Sequence, residues 1–216
     1  MYHYIDDKEF LQRMRRRCSD IVNQLVTAIN NDDLMTVKAH LVGSGAKNLE
    51  TQNASAPIDL DYNLVVINSS CPINDGKQIK NYIMKKFNMI LKKNGWSDCS
   101  DSTSCLETET REFKSGNKTG FSIDLAIVYE DPDGTWYRLI HEKTGNISND
   151  RWFWNIGPNS KGLTKKVDWL KNKNLWNEVR EVYLEKKNMY LKGNDHNHPS
   201  FICYIETINE LYNKHK

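Results

Sequence analysis

Two stretches decide the fold: Leu41-Val42-Gly43-Ser44-Gly45 and, after a polar interval, Pro57-Ile58-Asp59-Leu60-Asp61-Tyr62-Asn63-Leu64-Val65-Val66. The first reads as a strand running into a glycine-serine turn. The second reads as a strand whose side chains alternate between two faces with period two. Asp59 and Asp61 therefore point one way, while Ile58, Leu60, Tyr62, Leu64 and Val66 form the opposite, apolar face. A third stretch, Phe121-Ser122-Ile123-Asp124-Leu125-Ala126-Ile127-Val128-Tyr129, repeats the design with one acid. Asp124 lies opposite the apolar row, between the small residues Ser122 and Ala126.

Adjacent strands of this kind bring three carboxylates to one spot, and clustered carboxylates do not all stay ionised without a cation. Mg2+, with Mn2+ as the alternative, suits hard oxygen ligands and takes further ones from a substrate's phosphates. Two such ions about 4 Å apart stabilise both the entering and the leaving oxygen of an in-line displacement. The Gly43-Ser44-Gly45 turn supplies the complementary half. Glycine lets backbone approach a phosphate closely, and amides at a helix N-terminus attract anions. The Ser44 hydroxyl and the Lys47 ammonium are candidates for the distal phosphates.

The Gly43-Ser44 turn, then Asp59-Leu60-Asp61, then a later strand with Asp124, resembles the nucleotidyltransferase superfamily that includes DNA polymerase beta. The resemblance covers roughly residues 34 to 141. It implies that Gly43 and Ser44 hold the triphosphate tail of an NTP and that Asp59 and Asp61 bind both metals. It also implies that Asp124 completes one metal site and helps deprotonate the attacking hydroxyl. The chain departs from the family pattern in one respect: fourteen residues separate Ser44 from Asp59, a longer interval than usual. The extra length, Leu49 to Ser55, is expected to form a longer loop over the nucleotide.

Around this centre the periodicity predicts further elements. An amphipathic helix spans 6–30, with Leu11, Met14, Cys18, Ile21, Val22, Leu25 and Ile29 on one face and Asp6 and Asp7 at its start. It carries Arg13, Arg15, Arg16 and Arg17, read as a solvated face in preference to a contact for a nucleotide tail or RNA backbone. A strand spans 35–42, a loop 68–76, and a lysine-rich helix 77–94 ended by Gly95. A strand with little apolar signal is expected near 105–113. Asp131-Pro132-Asp133-Gly134 is a hairpin turn, followed by a strand over 136–141. Residues 142–150 are read as a linker, and Trp152, Phe153, Trp154, Ile156 and Pro158 as packing between lobes, with a base-stacking shelf as the functional alternative. Helices are predicted over 160–172, over 174–191 with Gly193 as the stop, and from about Pro199 onward. Lys161, Lys165 and Lys166 are candidates for triphosphate contacts, and Arg180 and Lys186 or Lys187 project from the second of these helices. His196 and His198 are read as solvated rather than metal-binding.

The expected architecture is α/β (α+β): a small mixed sheet with flanking helices over 1–145, then a helical lobe over 146–216. Thirty Lys and Arg against 28 Asp and Glu give a net charge of +2, which argues against a nucleic-acid coat or a polybasic membrane binder. No apolar run is long enough to span a bilayer and no signal-peptide pattern opens the chain, so a cytoplasmic protein is expected. The five cysteines, without a Cys-x-x-Cys pair, are read as reduced thiols. The function these readings imply is Mg2+-dependent transfer of a nucleoside monophosphate from an NTP to a hydroxyl acceptor, which fold does not name: small molecule, nucleotide, RNA end or protein. The alternative is a catalytically inactive nucleotide-binding or partner-binding module of the same fold.

Overall fold

The alternating strands become the centre of a mixed sheet in the computed structural model, which describes residues 1–157, 162–195 and 200–216. In chain order the strands are β1 (Tyr2–Tyr4), β2 (Met35–Leu41), β3 (Thr51–Asn53), β4 (Ile58–Ser69), β5 (Ser100–Asp101), β6 (Leu106–Glu107), β7 (Phe121–Glu130), β8 (Trp136–Glu142) and β9 (Arg151–Ile156). The helices are α1 (Lys8–Asn30), α2 (Gly76–Lys93), α3 (Leu163–Asn172), α4 (Trp176–Lys192) and α5 (Ser200–His215). The main sheet has seven strands, in the order β2-β4-β7-β6-β5, with β8 pairing both β7 and β9. The central pair β4–β7 is parallel, with α2 in the connection between them, and the other pairs are antiparallel.

Local chemistry explains the boundaries. Asp7 caps α1 by accepting from the Phe10 amide at 2.9 Å, and Asp75 caps α2 by accepting from Gln78 at 3.0 Å. Gly95, at φ +75°, closes α2 in the left-handed conformation expected of it. Gly193 stays right-handed, and the left-handed residue after α4 is Asn194. One face of the sheet is covered by α1 and α2. Phe10, Met14, Cys18, Ile21, Leu25, Ile79, Ile83 and Phe87 bury themselves against Leu60, Tyr62, Leu64, Ile123, Leu125 and Ile127. A second core joins α3, α4 and α5 through Leu170, Val179, Tyr183, Cys203, Tyr204, Ile208 and Leu211, and Leu49 from the sheet side inserts into it.

Several expectations are corrected. Residues 143–150 connect two strands of one sheet, because β9 pairs along β8 from Tyr137↔Ile156 to Glu142↔Arg151. The sheet therefore runs past residue 145. Trp152 and Trp154 turn inward onto the core, whereas Phe153 remains 43% exposed on the opposite face. The strand expected over 105–113 shrinks to β6 and an isolated bridge at Arg111. The interval after the glycine turn is not a free loop: β3 pairs antiparallel with β1. Pro158, Lys161, His196, His198 and Pro199 lie outside the described residues.

The arginine run of α1 is structural at three of its four positions. Arg13 lies 4.3 Å over the Phe113 ring, Arg15 pairs with the buried Glu50, and Arg17 donates to Asn94 at 3.1 and 3.0 Å. Only Arg16 of the four is exposed. A charged knot fastens the far side of the sheet. The buried His141 ring stacks on Trp152 at 4.1 Å, with Nδ1 2.8 Å from Asp101 and Nε2 3.1 Å from Asp150. Lys80, 2% exposed, pairs with Asp101 at 2.6 Å. The five cysteines are free thiols. No helix among the described residues is long and apolar enough to cross a membrane.

Candidate active site

The parallel register of β4 and β7 sets Asp61 beside Asp124 and Asp59 beside Ser122. All three acids lie on the sheet face opposite α1 and α2, as the alternation requires. Asp59 accepts a short hydrogen bond from the Ser122 hydroxyl. Burial raises the Asp61 carboxyl above the usual range, and the charge of Asp59 adds to it. Burial likewise pushes Asp124 to about 7, helped by Asp59, Asp61 and Glu107. Against this, Arg138 of β8, Lys187 of α4 and Lys47 pull Asp61 down. The balance is uncompensated negative charge on a hard-oxygen donor set, which fits a divalent cation.

The turn is built onto the acids. Val42 donates its amide to the Asp61 carbonyl at 2.8 Å. Gly43 has φ +62°, and a Cβ there would collide with the Asp61 carboxylate. Glycine is thus required twice over, by conformation and by contact. Gly45 opens a short 3-10 turn, Gly45–Lys47, and a Cβ there would come within 2.9 Å of Leu60. Lys47 folds back over the turn: its Nζ donates to Gly43 O at 3.2 Å and lies 4.8 Å from the Tyr204 ring. Burial lowers its pKa, while Asp61 opposes the shift. Gly43, Ser44 and Lys47 line a narrow cavity with Tyr183, Ser200 and Tyr204 of the helical lobe. Lys47 also borders an open cleft of ≈450 Å³ that includes Lys171 and Trp176.

The three aspartate carboxylates are neighbours but are not drawn into one tight cluster. Among the described residues, the group whose donor atoms all lie within 4.8 Å of one another is Cys105, Glu107 and Asp124. Asp59 is bonded to Ser122 instead. Glu107 is the residue the sequence reading missed. It sits directly across from Asp124 on a strand of two residues, too short to show alternation. Cys105 beside it is a weak ligand, since burial first and then Asp124 push its thiol to about 12. Lys171, which lines the cleft with Lys47, was likewise not singled out, and Lys187, named only as projecting from its helix, acts on the charge of Asp61. Of the lysines considered for phosphates, Lys166 is held by Asn209 at 2.6 Å; Lys186, which projects from α4, pairs with Glu210 at 2.8 Å.

This fold occurs in solved proteins. CdnC from E. coli MS115-1, solved with ATP, matches with a TM-score of 0.63 over 95% of this chain and 61% of its own, at 14% identity. The same protein in its complex with HORMA-deltaN matches with a TM-score of 0.59 over 100% of this chain and 62% of its own, at 16% identity. This chain shares its fold with CdnC. The chain spans about three fifths of the length of the CdnC chain. No protein-family model and no curated protein matches the sequence. The likeness to CdnC is thus one of shape rather than of sequence identity.

Proposed function

We propose that this protein transfers a nucleoside monophosphate from an NTP to a hydroxyl acceptor and releases pyrophosphate. The observation that carries the reading is the register of Asp61 against Asp124 on parallel strands, with the Gly43 backbone seated on the Asp61 carboxylate. Asp59, Asp61 and Asp124 would hold Mg2+, or Mn2+ in its place. When bound, such ions neutralise phosphate charge and lower the pKa of the attacking hydroxyl. The amides and hydroxyl of Gly43-Ser44 and the Lys47 ammonium orient the triphosphate tail. The acceptor oxygen attacks the α-phosphorus as the bond to the bridging oxygen of the pyrophosphate breaks. Asp124, set beside Asp61 and across from Glu107, takes the hydroxyl proton. Positioning and fixed charge then supply most of the acceleration. ATP is the first nucleotide to test, because CdnC, whose fold this chain shares, was solved with it.

The test is incubation of the protein with each α-labelled NTP, Mg2+ and candidate acceptors, with labelled product resolved from free nucleotide. Labelled product that disappears with Asp61→Asn supports transfer. Metal-dependent thermal stabilisation by an NTP without any product points to the inactive binding module instead.

A further inference from the structure

The long interval between Ser44 and Asp59 is the part of the chain least like the family pattern, and it is clamped from outside the sheet. Asn48 follows the 3-10 turn with φ +54°, a left-handed conformation that asparagine tolerates. The Lys47 and Leu49 amides both donate to Ser44 O at 3.1 Å, so the chain curls tightly about Ser44. The Asn48 carbonyl points out of this curl and accepts from the Arg180 guanidinium of α4. Arg180 is in turn fixed by β1. Its guanidinium carbon lies 3.9 Å over the Tyr4 ring, and the Tyr4 hydroxyl donates to Arg180 O at 2.7 Å. Two more residues of α4, both about two turns on, continue the clamp. Lys187 donates to Thr51 Oγ1 at 2.8 Å, and Asn188 exchanges hydrogen bonds with the Tyr2 backbone at 2.7 and 3.0 Å. Leu49, 1% exposed, sits in the helical lobe's core.

The turn is therefore gripped on both sides, by Asp61 and Leu60 from the sheet and by α4 through Asn48 and Leu49. We infer that Arg180 is a positioning residue: it holds the Asn48 carbonyl, so that seating of α4 against β1 and the triphosphate-binding shape of the Gly43–Asn48 turn rise and fall together. This rests on the reading of the turn as phosphate-binding. Arginine suits the task because its planar fork bonds a carbonyl while its face stacks on an aromatic ring, which lysine does less well.

The test compares wild type with Arg180→Ala, Arg180→Lys and Tyr4→Phe in the full chain. Calorimetry with ATP plus Mg2+ and with adenosine gives affinities, and amide hydrogen exchange reads the turn without ligand. Arg180→Ala is expected to weaken ATP about tenfold, the size of one lost charged hydrogen bond, and to leave adenosine unchanged. Exchange at the Lys47 and Leu49 amides should quicken about tenfold while β4 and β7 keep their rates. Arg180→Lys should recover part of both effects. Tyr4→Phe, which keeps the ring and loses one hydroxyl, should act about threefold in the same directions and covers the case of a poorly folding Arg180→Ala. Unchanged exchange in the turn overturns the inference, as does equal weakening of ATP and adenosine. If wild type binds no triphosphate while turn exchange still responds to Arg180, the nucleotide reading falls and the mechanical coupling stands.

Discussion

Replacing Asp124 by Asn should stabilise the metal-free protein at neutral and alkaline pH. Asp124 stands at about 7 in the fold against an unperturbed value of 3.8. A raised carboxyl costs nothing below the unfolded value. The cost grows through the interval between the two values and is complete above the folded one. Three units at about 1.4 kcal/mol each set a ceiling of about 4 kcal/mol, of which about 2.5 kcal/mol develops between pH 5 and pH 8. Asn keeps the shape and cannot ionise, so the variant lacks this loss. Urea denaturation in EDTA at pH 5, 6, 7 and 8 measures it: the stability difference, variant minus wild type, should climb by about 2.5 kcal/mol across the series. In melting temperature that is about 5–10 °C for a chain of this size. Adding Mg2+ should stabilise wild type at pH 8 and leave the variant nearly unmoved. Parallel stability curves for the two proteins would refute the picture of Asp124 as a buried acid facing other acids.

The remaining predictions concern the turn and its neighbours. Asp59→Asn or Asp61→Asn should lower turnover at least about a thousandfold while circular dichroism stays that of wild type, since each change removes charge from a position the fold does not need ionised. Gly43→Ala should cost about 1–3 kcal/mol in urea stability and nearly all activity, because the new methyl meets Asp61 at a backbone angle alanine resists. Lys47→Met should raise the KM for NTP about tenfold with little change in kcat, and the effect should shrink with added salt.

The centre of the fold was legible because β4 and β7 are long and carry an unbroken apolar row on one face, with the acids opposite it. Asp7 and Gly95 marked helix ends for local reasons that need no tertiary context. β9 was hidden for the opposite reason. Trp152, Phe153 and Trp154 are all large and apolar, so no polar partner betrays that the middle one faces the other way. β1 and β3 are three residues each, and such strands owe their existence to pairing and to α4, which local pattern does not contain. The acids of the site showed themselves as exceptions on an apolar background. Glu107 had no such background, lying in a stretch where charge is the rule.

The knot around His141 has a bearing on how the molecule comes apart. It joins α2, β5, β8 and the approach to β9 through ionic groups, whereas the β4–β7 middle is held by aliphatic side chains. The Thr144 amide and His141 keep the Asp150 carboxyl below its ordinary value, so its contribution is present at neutral pH and lost as the solution turns acidic. Acidification should therefore loosen the Trp-bearing rim of the sheet from α2, a change visible in Trp fluorescence.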